Sequence, residues 1–103
     1  MKDPKNFKDI KEIRDCIDEI DFEILRLFGD RDKCVNEIVN FKTDQKEVIA
    51  KKRQEELLAL RRIWAMELNL DPDLFEKIFK MLIDSNIKKQ MGMLEQSKKN
   101  EIK

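Results

Sequence analysis

The sequence predicts an all-α protein, and three observations carry that expectation. Apolar residues recur at intervals of three and four over long windows, as in helices that present one apolar stripe. Only two glycines and two prolines punctuate the chain, which favours long helices with short joints. Tyrosine is absent and the β-branched residues are mostly isoleucines on the helical period, so strands have little support. The 103 residues suffice for a single domain, expected as an ordered core over about 8–96 and a polar tail over 97–103.

Three helices per chain follow from the pattern. The first, very long and N-terminal, is expected from about residue 8 to about residue 41, with Asp9 as its cap. Its stripe runs Ile10, Ile13, Ile17, Ile20, Ile24, Leu27, Arg31, Cys34, Ile38 and Phe41, nine apolar positions and one arginine. This stripe is the expected buried seam. Gly29 lies inside it and costs about 1 kcal/mol relative to alanine. Because the repeat resumes in phase, Gly29 reads as a weak point or a close-approach site, with a break that folds the helix back as the alternative. "TDQKEV" interrupts the period and reads as a short loop. The second helix covers about 50–68 on Leu57, Leu58, Leu60, Arg61, Trp64, Ala65 and Leu68. In "NLDPD", Asp71 is a good N-cap with Pro72 at the first helical position. The third helix then continues to about residue 96 through Phe75, Phe79, Leu82, Ile83, Ile87, Met91 and Leu94.

Length sets a constraint on the first of these. A helix of about 34 residues spans roughly 50 Å. A compact domain of this size is only about 35 Å across. Half of the helix would project from a monomer with bare isoleucines, a patch that soluble proteins avoid. A second copy covers it, so the chain is expected to form an extended homodimer paired along helix one.

Charge and cysteine usage exclude several classes. Charged residues make up 43%, but 22 basic and 22 acidic side chains cancel. A balanced surface argues against nucleic-acid or anionic-membrane partners, which need one sign of charge. "MKDPKNFKD" has no apolar h-region, and no apolar run approaches the ~20 residues of a membrane helix, so a cytoplasmic protein is expected. Cys16 and Cys34 lie roughly 27 Å apart on one helix and cannot bridge each other. With no histidine in the chain they make no zinc site, and no metal or cofactor is expected.

Polar residues on apolar faces are the candidates for function. A guanidinium in the seam at Arg31 either pairs with a buried acid, reaches solvent along its stem, or awaits an anionic ligand. Lys42 follows 11 residues later, on the same face to within about 20° and roughly 16 Å away. The two side chains bracket a gap the size of a small carboxylate-bearing molecule. On helix three, Asn86 and Gln90 form an i, i+4 amide pair beside Ile83 and Ile87. Two successive inward amides read as the polar lining of an apolar-walled pocket, or as a pair that sets helix register. In "KKRQEE", Arg53 and Gln54 are not lifted by spacing alone above solvated surface. Arg14 lies about 25 Å from Arg31 along the helix, too far for one chain to grip one small molecule with both. In a dimer, Arg14 of one copy can approach Arg31 of the other.

The stretch "EIRDCIDEIDFEILRLFGDRDKCVNEIVNFK" resembles the first helix of the AroQ-type all-helical chorismate mutases. Ile13, Arg14, Ile17, Asp18, Ile20, Asp21, Ile24, Leu27, Arg31 and Lys42 carry the likeness, which extends over about residues 8–96. The chain is also similar, without gaps, to the related isochorismate pyruvate lyases, whose flavour shows in "RRIWAMELNLDPDLFEKIF". The resemblance implies an intertwined homodimer with two shared active sites and a small dicarboxylate substrate. By that analogy Arg14 and Arg31 hold the two carboxylates, while Lys42 and Gln90 donate to the ether oxygen of the breaking C–O bond. Arg53 matches an arginine near the ring, and Gln54 falls where many mutases place a glutamate that contacts the ring hydroxyl. Asn86 takes a small polar position, and Ile38, Ile83 and Ile87 line the walls. Ala50 stands where some mutases have an aspartate.

The implied reaction is the pericyclic rearrangement of chorismate to prephenate, which needs neither nucleophile nor proton transfer. The related lyases tend to have an apolar residue at position 54 and an aromatic one at 86, so the two polar residues here favour the mutase. Isochorismate pyruvate lyase is the alternative enzyme. A non-catalytic helical dimerisation module, with Arg31, Lys42 and Gln90 as register-setting groups, is the alternative outside enzymes.

Overall fold

Helix starts and stops in this protein are set by short-range hydrogen bonds that the sequence encodes locally. The computed structural model describes residues 3–41, 44, 46 and 49–101, without the side chains at 4, 100 and 101. It contains the helices α1 (Ile10–Ile38), α2 (Lys51–Glu67) and α3 (Pro72–Glu101), with 3-10 turns at Pro4–Asn6 and Val39–Phe41. The described residues belong to two compact units, Met1–Cys34 and Val35–Lys103. No described helix is long and apolar enough to cross a membrane.

In the first unit, Asp9 caps α1 as expected. Its Oδ1 accepts from the Glu12 amide at 2.9 Å, and Glu12 Oε2 accepts from the Lys8 amide at 2.6 Å. One of the four orphan donors at the helix start, the Glu12 amide, is thereby met, and the Lys8 amide just before the cap finds a partner as well. The solvent side is laced by Lys11–Asp15 at 2.8 Å and by Arg26, which reaches Glu23 at 2.8 Å and Asp30 at 3.3 Å. The hydrogen bond from Arg26, then its charge, holds the Glu23 carboxyl below the usual carboxylate range. Exposed pairs of this kind add little stability.

The seam of α1 is largely bare in the single chain, as its length leads one to expect of one copy alone. No residue of the helix is buried in the single chain. Ile10, Ile17, Ile24 and Leu27 are exposed, and Ile13 and Ile20 are only half-buried. A helix with an apolar stripe and no cover has half of its packing still to make. α1 runs unbroken through Gly29, so no fold-back occurs there.

The second unit is a helical hairpin with the tail of α1. Among the described residues the buried apolar side chains are Val39, Leu57, Ala65, Ile83 and Leu94, all in this unit. Leu57 and Ala65 lie about two turns apart on one face of α2, which packs against α3. Arg62 on α2 clamps the hairpin near its elbow, reaching Asp73 at 2.8 Å and Glu76 at 2.7 Å. The hydrogen bonds it donates to Asp73 and then to Glu76 raise the guanidinium's affinity for its proton. Arg61 lies over the Trp64 ring at 4.5 Å and the Phe79 ring at 5.5 Å, a second tie between the two helices.

The elbow is built from caps. Leu70 N donates to Ala65 O at 2.8 Å and Asn69 N to Met66 O at 3.1 Å, the paired bonds of a Schellman stop. Asn69 takes the left-handed conformation that stop requires, with φ 58°. Asp71 Oδ1 then accepts from Asp73 N at 3.0 Å and Leu74 N at 3.4 Å, the expected N-cap of α3.

Three boundaries depart from the sequence reading. α1 ends at Ile38 and its last turn tightens into the 3-10 turn Val39–Phe41. α3 continues past residue 96 to Glu101, with Lys98 and Lys99 at its negative end, where cations stabilise a helix. Of the expected loop, Thr43, Gln45, Glu47 and Val48 lie outside the described residues, as does Lys42, while Lys46 and Ile49 are helical.

A Cβ added at Gly29 or Gly92 meets nothing within 4 Å. Gly92→Ala is therefore expected to add about 0.5–1 kcal/mol in denaturant unfolding, through helix propensity alone. Gly29→Ala should add as much; a loss at position 29 alone would identify another chain packed against it.

Candidate functional site

α3 carries the densest group of candidates. Ile83, Asn86, Ile87 and Gln90 recur at helical spacing and therefore share one face. Ile83, Asn86 and Gln90 are 7%, 6% and 3% exposed, and Ile87 is half-buried. The two amides are thus enclosed between apolar walls, as their spacing predicts. A buried amide must find partners. Gln90 Nε2 finds one in the Val35 carbonyl oxygen at 2.7 Å. Val35 lies in the last turn of α1, so this bond ties the end of that helix to α3. That bond also fixes the amide's orientation, since a carbonyl oxygen accepts only from the nitrogen end. It uses one of the two N–H groups on Nε2.

Beside this contact lies a group that spacing does not reveal. Asn36 Oδ1 is buried with no hydrogen-bond partner among the described residues. Asn36 sits off the Arg31–Ile38 line of α1, so the seam analysis passes over it. Ile38, expected as a wall, is 42% exposed in the single chain.

The start of α2 forms a second group. An open hollow of about 860 Å³ is lined by Lys46, Ile49, Ala50, Lys51, Lys52, Arg53 and Glu56. Four cations and one acid border it. Lys51, Lys52 and Arg53 occupy the first turn of the helix, the end where the dipole is positive and anions are favoured. Ala50 precedes them in the left-handed region, φ 44° and ψ 58°, and makes no side-chain cap. That conformation costs an alanine roughly 1–2 kcal/mol. The arrangement is electrostatically unfavourable by itself.

Gln54 is half-buried and engaged at both ends of its amide. Nε2 donates to Ile49 O at 2.6 Å, and Lys80 Nζ on α3 approaches Oε1 at 3.5 Å. Lys80 is itself held by Asp84 at 2.7 Å. Sequence spacing gives Lys80 no signal, because nothing along the chain links position 80 to position 54.

The remaining candidates belong to the first unit. Arg14 is exposed and Arg31 half-buried on α1. The rigid helix keeps them about 25 Å apart, so one chain does not bring them together. Among the described residues no group of histidine, cysteine, aspartate and glutamate is placed to hold a metal ion.

Comparison with known proteins points in one direction. A family model described as chorismate mutase type II matches residues 13–91. An isochorismate pyruvate lyase of Pseudomonas aeruginosa is 31% identical over 98 residues, covering 95% of this chain and 97% of that protein.

Replacing Gln90 by leucine keeps the side-chain volume and removes this hydrogen bond to the Val35 carbonyl. The expected cost is about 0.5–1.5 kcal/mol in denaturant unfolding. Unchanged stability would mean that this bond does not hold the end of α1.

Proposed function

We propose, from the premise that this chain belongs to the chorismate mutase type II family, that it rearranges chorismate to prephenate. The observation that carries the reading is the pair of amides, Asn86 and Gln90, buried on one face of α3 beside Ile83 and Ile87. The reaction exchanges a C–O bond for a C–C bond within one molecule, so the protein has only to fold the substrate and stabilise its changing charge. Holding a reactive conformer can supply several kcal/mol of the barrier. Groups aimed at charge that grows in the transition state supply more.

In this reading Arg14 of one copy and Arg31 of the other each grip a carboxylate, for which the planar guanidinium fork is suited. Lys42 and the second N–H of Gln90 face the ether oxygen. Arg53 lies near the ring and Gln54 at its hydroxyl, with Ile38, Ile83 and Ile87 as walls. The uncovered seam of α1 supports a homodimer, since Ile10, Ile17, Ile24 and Leu27 lack cover in one chain. The crowd of cations at the start of α2 supports an anionic substrate. The reaction is read as cytoplasmic and free of metal and cofactor.

A second reading is favoured by the relative named an isochorismate pyruvate lyase, which matches nearly end to end. Incubating the protein with chorismate and isochorismate separately, and identifying the products, decides between them. Prephenate from chorismate is expected. Salicylate and pyruvate from isochorismate would replace the mutase by the lyase. Turnover of neither would leave a helical dimerisation module.

Two variants test the mechanism. Lys42→Ala should lower kcat by about 10²-fold or more, as removal of an oxyanion donor does; near-normal turnover excludes the role. Arg14→Ala and Arg31→Ala proteins, each inactive, should recover activity when mixed and allowed to exchange subunits, because one intact site forms per heterodimer. No recovery contradicts shared sites.

A further inference from the structure

Gln54 is the candidate whose surroundings differ most from what a hydroxyl-binding carboxylate would need. Its Nε2 lies 2.6 Å from the carbonyl oxygen of Ile49, and its Oε1 faces the ammonium of Lys80 at 3.5 Å. Both partners select the same orientation, because a carbonyl oxygen meets only a donor and an ammonium only an acceptor. Lys80 is steadied from its other side by Asp84, one turn along α3, at 2.7 Å. A line of contacts therefore runs Asp84, Lys80, Gln54, Ile49, from α3 to the start of α2.

A glutamate at position 54 would attract Lys80 but would set one carboxylate oxygen against the Ile49 carbonyl oxygen. Glutamine satisfies both neighbours. The ammonium also draws electron density toward Oε1, which strengthens the amide N–H groups as donors. One of those N–H groups goes to Ile49. The other remains to be offered outward.

We propose that Lys80 is a positioning residue, which orients and polarises the Gln54 amide so that position 54 presents a hydrogen-bond donor to an oxygen of the bound ring. The inference rests on the reading above, in which Gln54 lies at the ring hydroxyl. Lys80 acts through Gln54 and does not touch the substrate. The recognised feature is then a hydroxyl accepting a hydrogen bond, where a carboxylate would require one donating it.

The test is a double-mutant cycle on the full-length chain, with Lys80→Met, Gln54→Ala and both together. The kinetic constants are measured with chorismate and with isochorismate, and the Gln54 side-chain amide is followed by ¹⁵N NMR. A contact made equally in ground and transition states appears in KM and leaves kcat alone. Lys80→Met should therefore raise KM about threefold to tenfold, the range of coupled neighbours. Lys80→Arg should restore most of it. With Gln54→Ala already in place, Lys80→Met should change KM by less than about twofold, because no amide is left to orient. The Gln54 Nε2 resonances should shift in Lys80→Met and return toward their position in Lys80→Arg. An equal rise in KM in both backgrounds overturns the proposal, as do Gln54 resonances unmoved by Lys80→Met. Wild-type protein inert toward both compounds defeats the functional reading instead, and the NMR comparison then decides by itself whether Lys80 orients the amide.

Discussion

The end of α1 is tied to α3 through one side chain, Gln90, whose Nε2 reaches the Val35 carbonyl at 2.7 Å. Removing that bond takes from this carbonyl its contact with α3. The same bond sets the amide's orientation, and in the proposed site the second N–H serves the ligand. Structure and proposed chemistry therefore share one side chain, which explains why a polar residue only 3% exposed is kept on a face that otherwise buries Ile83 and Leu94.

The start of α2 breaks local rules together. Lys51, Lys52 and Arg53 stand at the positive end of the helix dipole, Lys46 adds a fourth cation, and Ala50 adopts a backbone conformation that suits glycine. Each feature lowers the stability of the free chain. Departures of this kind gather where a protein binds something of opposite charge. Gln54 sits in the same turn, so the element that would attract an anion also carries the group proposed to read its ring.

The apolar seam of α1 is the other unmet demand. In the single chain Ile10, Ile17 and Ile24 are exposed, whereas the α2–α3 hairpin has a core of its own in Leu57, Ala65, Ile83 and Leu94. The two halves of the sequence thus differ in kind. Packing within the chain accounts for the hairpin, and in the proposed dimer a second copy covers the long helix. Arg14 and Arg31, fixed about 25 Å apart by the helix that bears them, meet at one substrate only in that proposed assembly.

Helix class, the capping by Asp9 and Asp71, the continuity of α1 through Gly29 and the inward placement of Asn86 and Gln90 were all legible in the sequence. Each depends on residues within one or two turns of one another, so spacing alone reports it. Family membership was legible too, since Arg14, Arg31 and Lys42 keep a fixed interval along the sequence. What Gln90 touches was decided by tertiary structure, because Val35 is 55 residues away. So was the placing of Lys80 against Gln54, 26 residues apart, which no periodicity encodes. The left-handed turn at Ala50 and the tightening of α1 at Val39 are likewise absent from the periodicity. Sequence determined which side chains face inward; only the fold decided which of them meet.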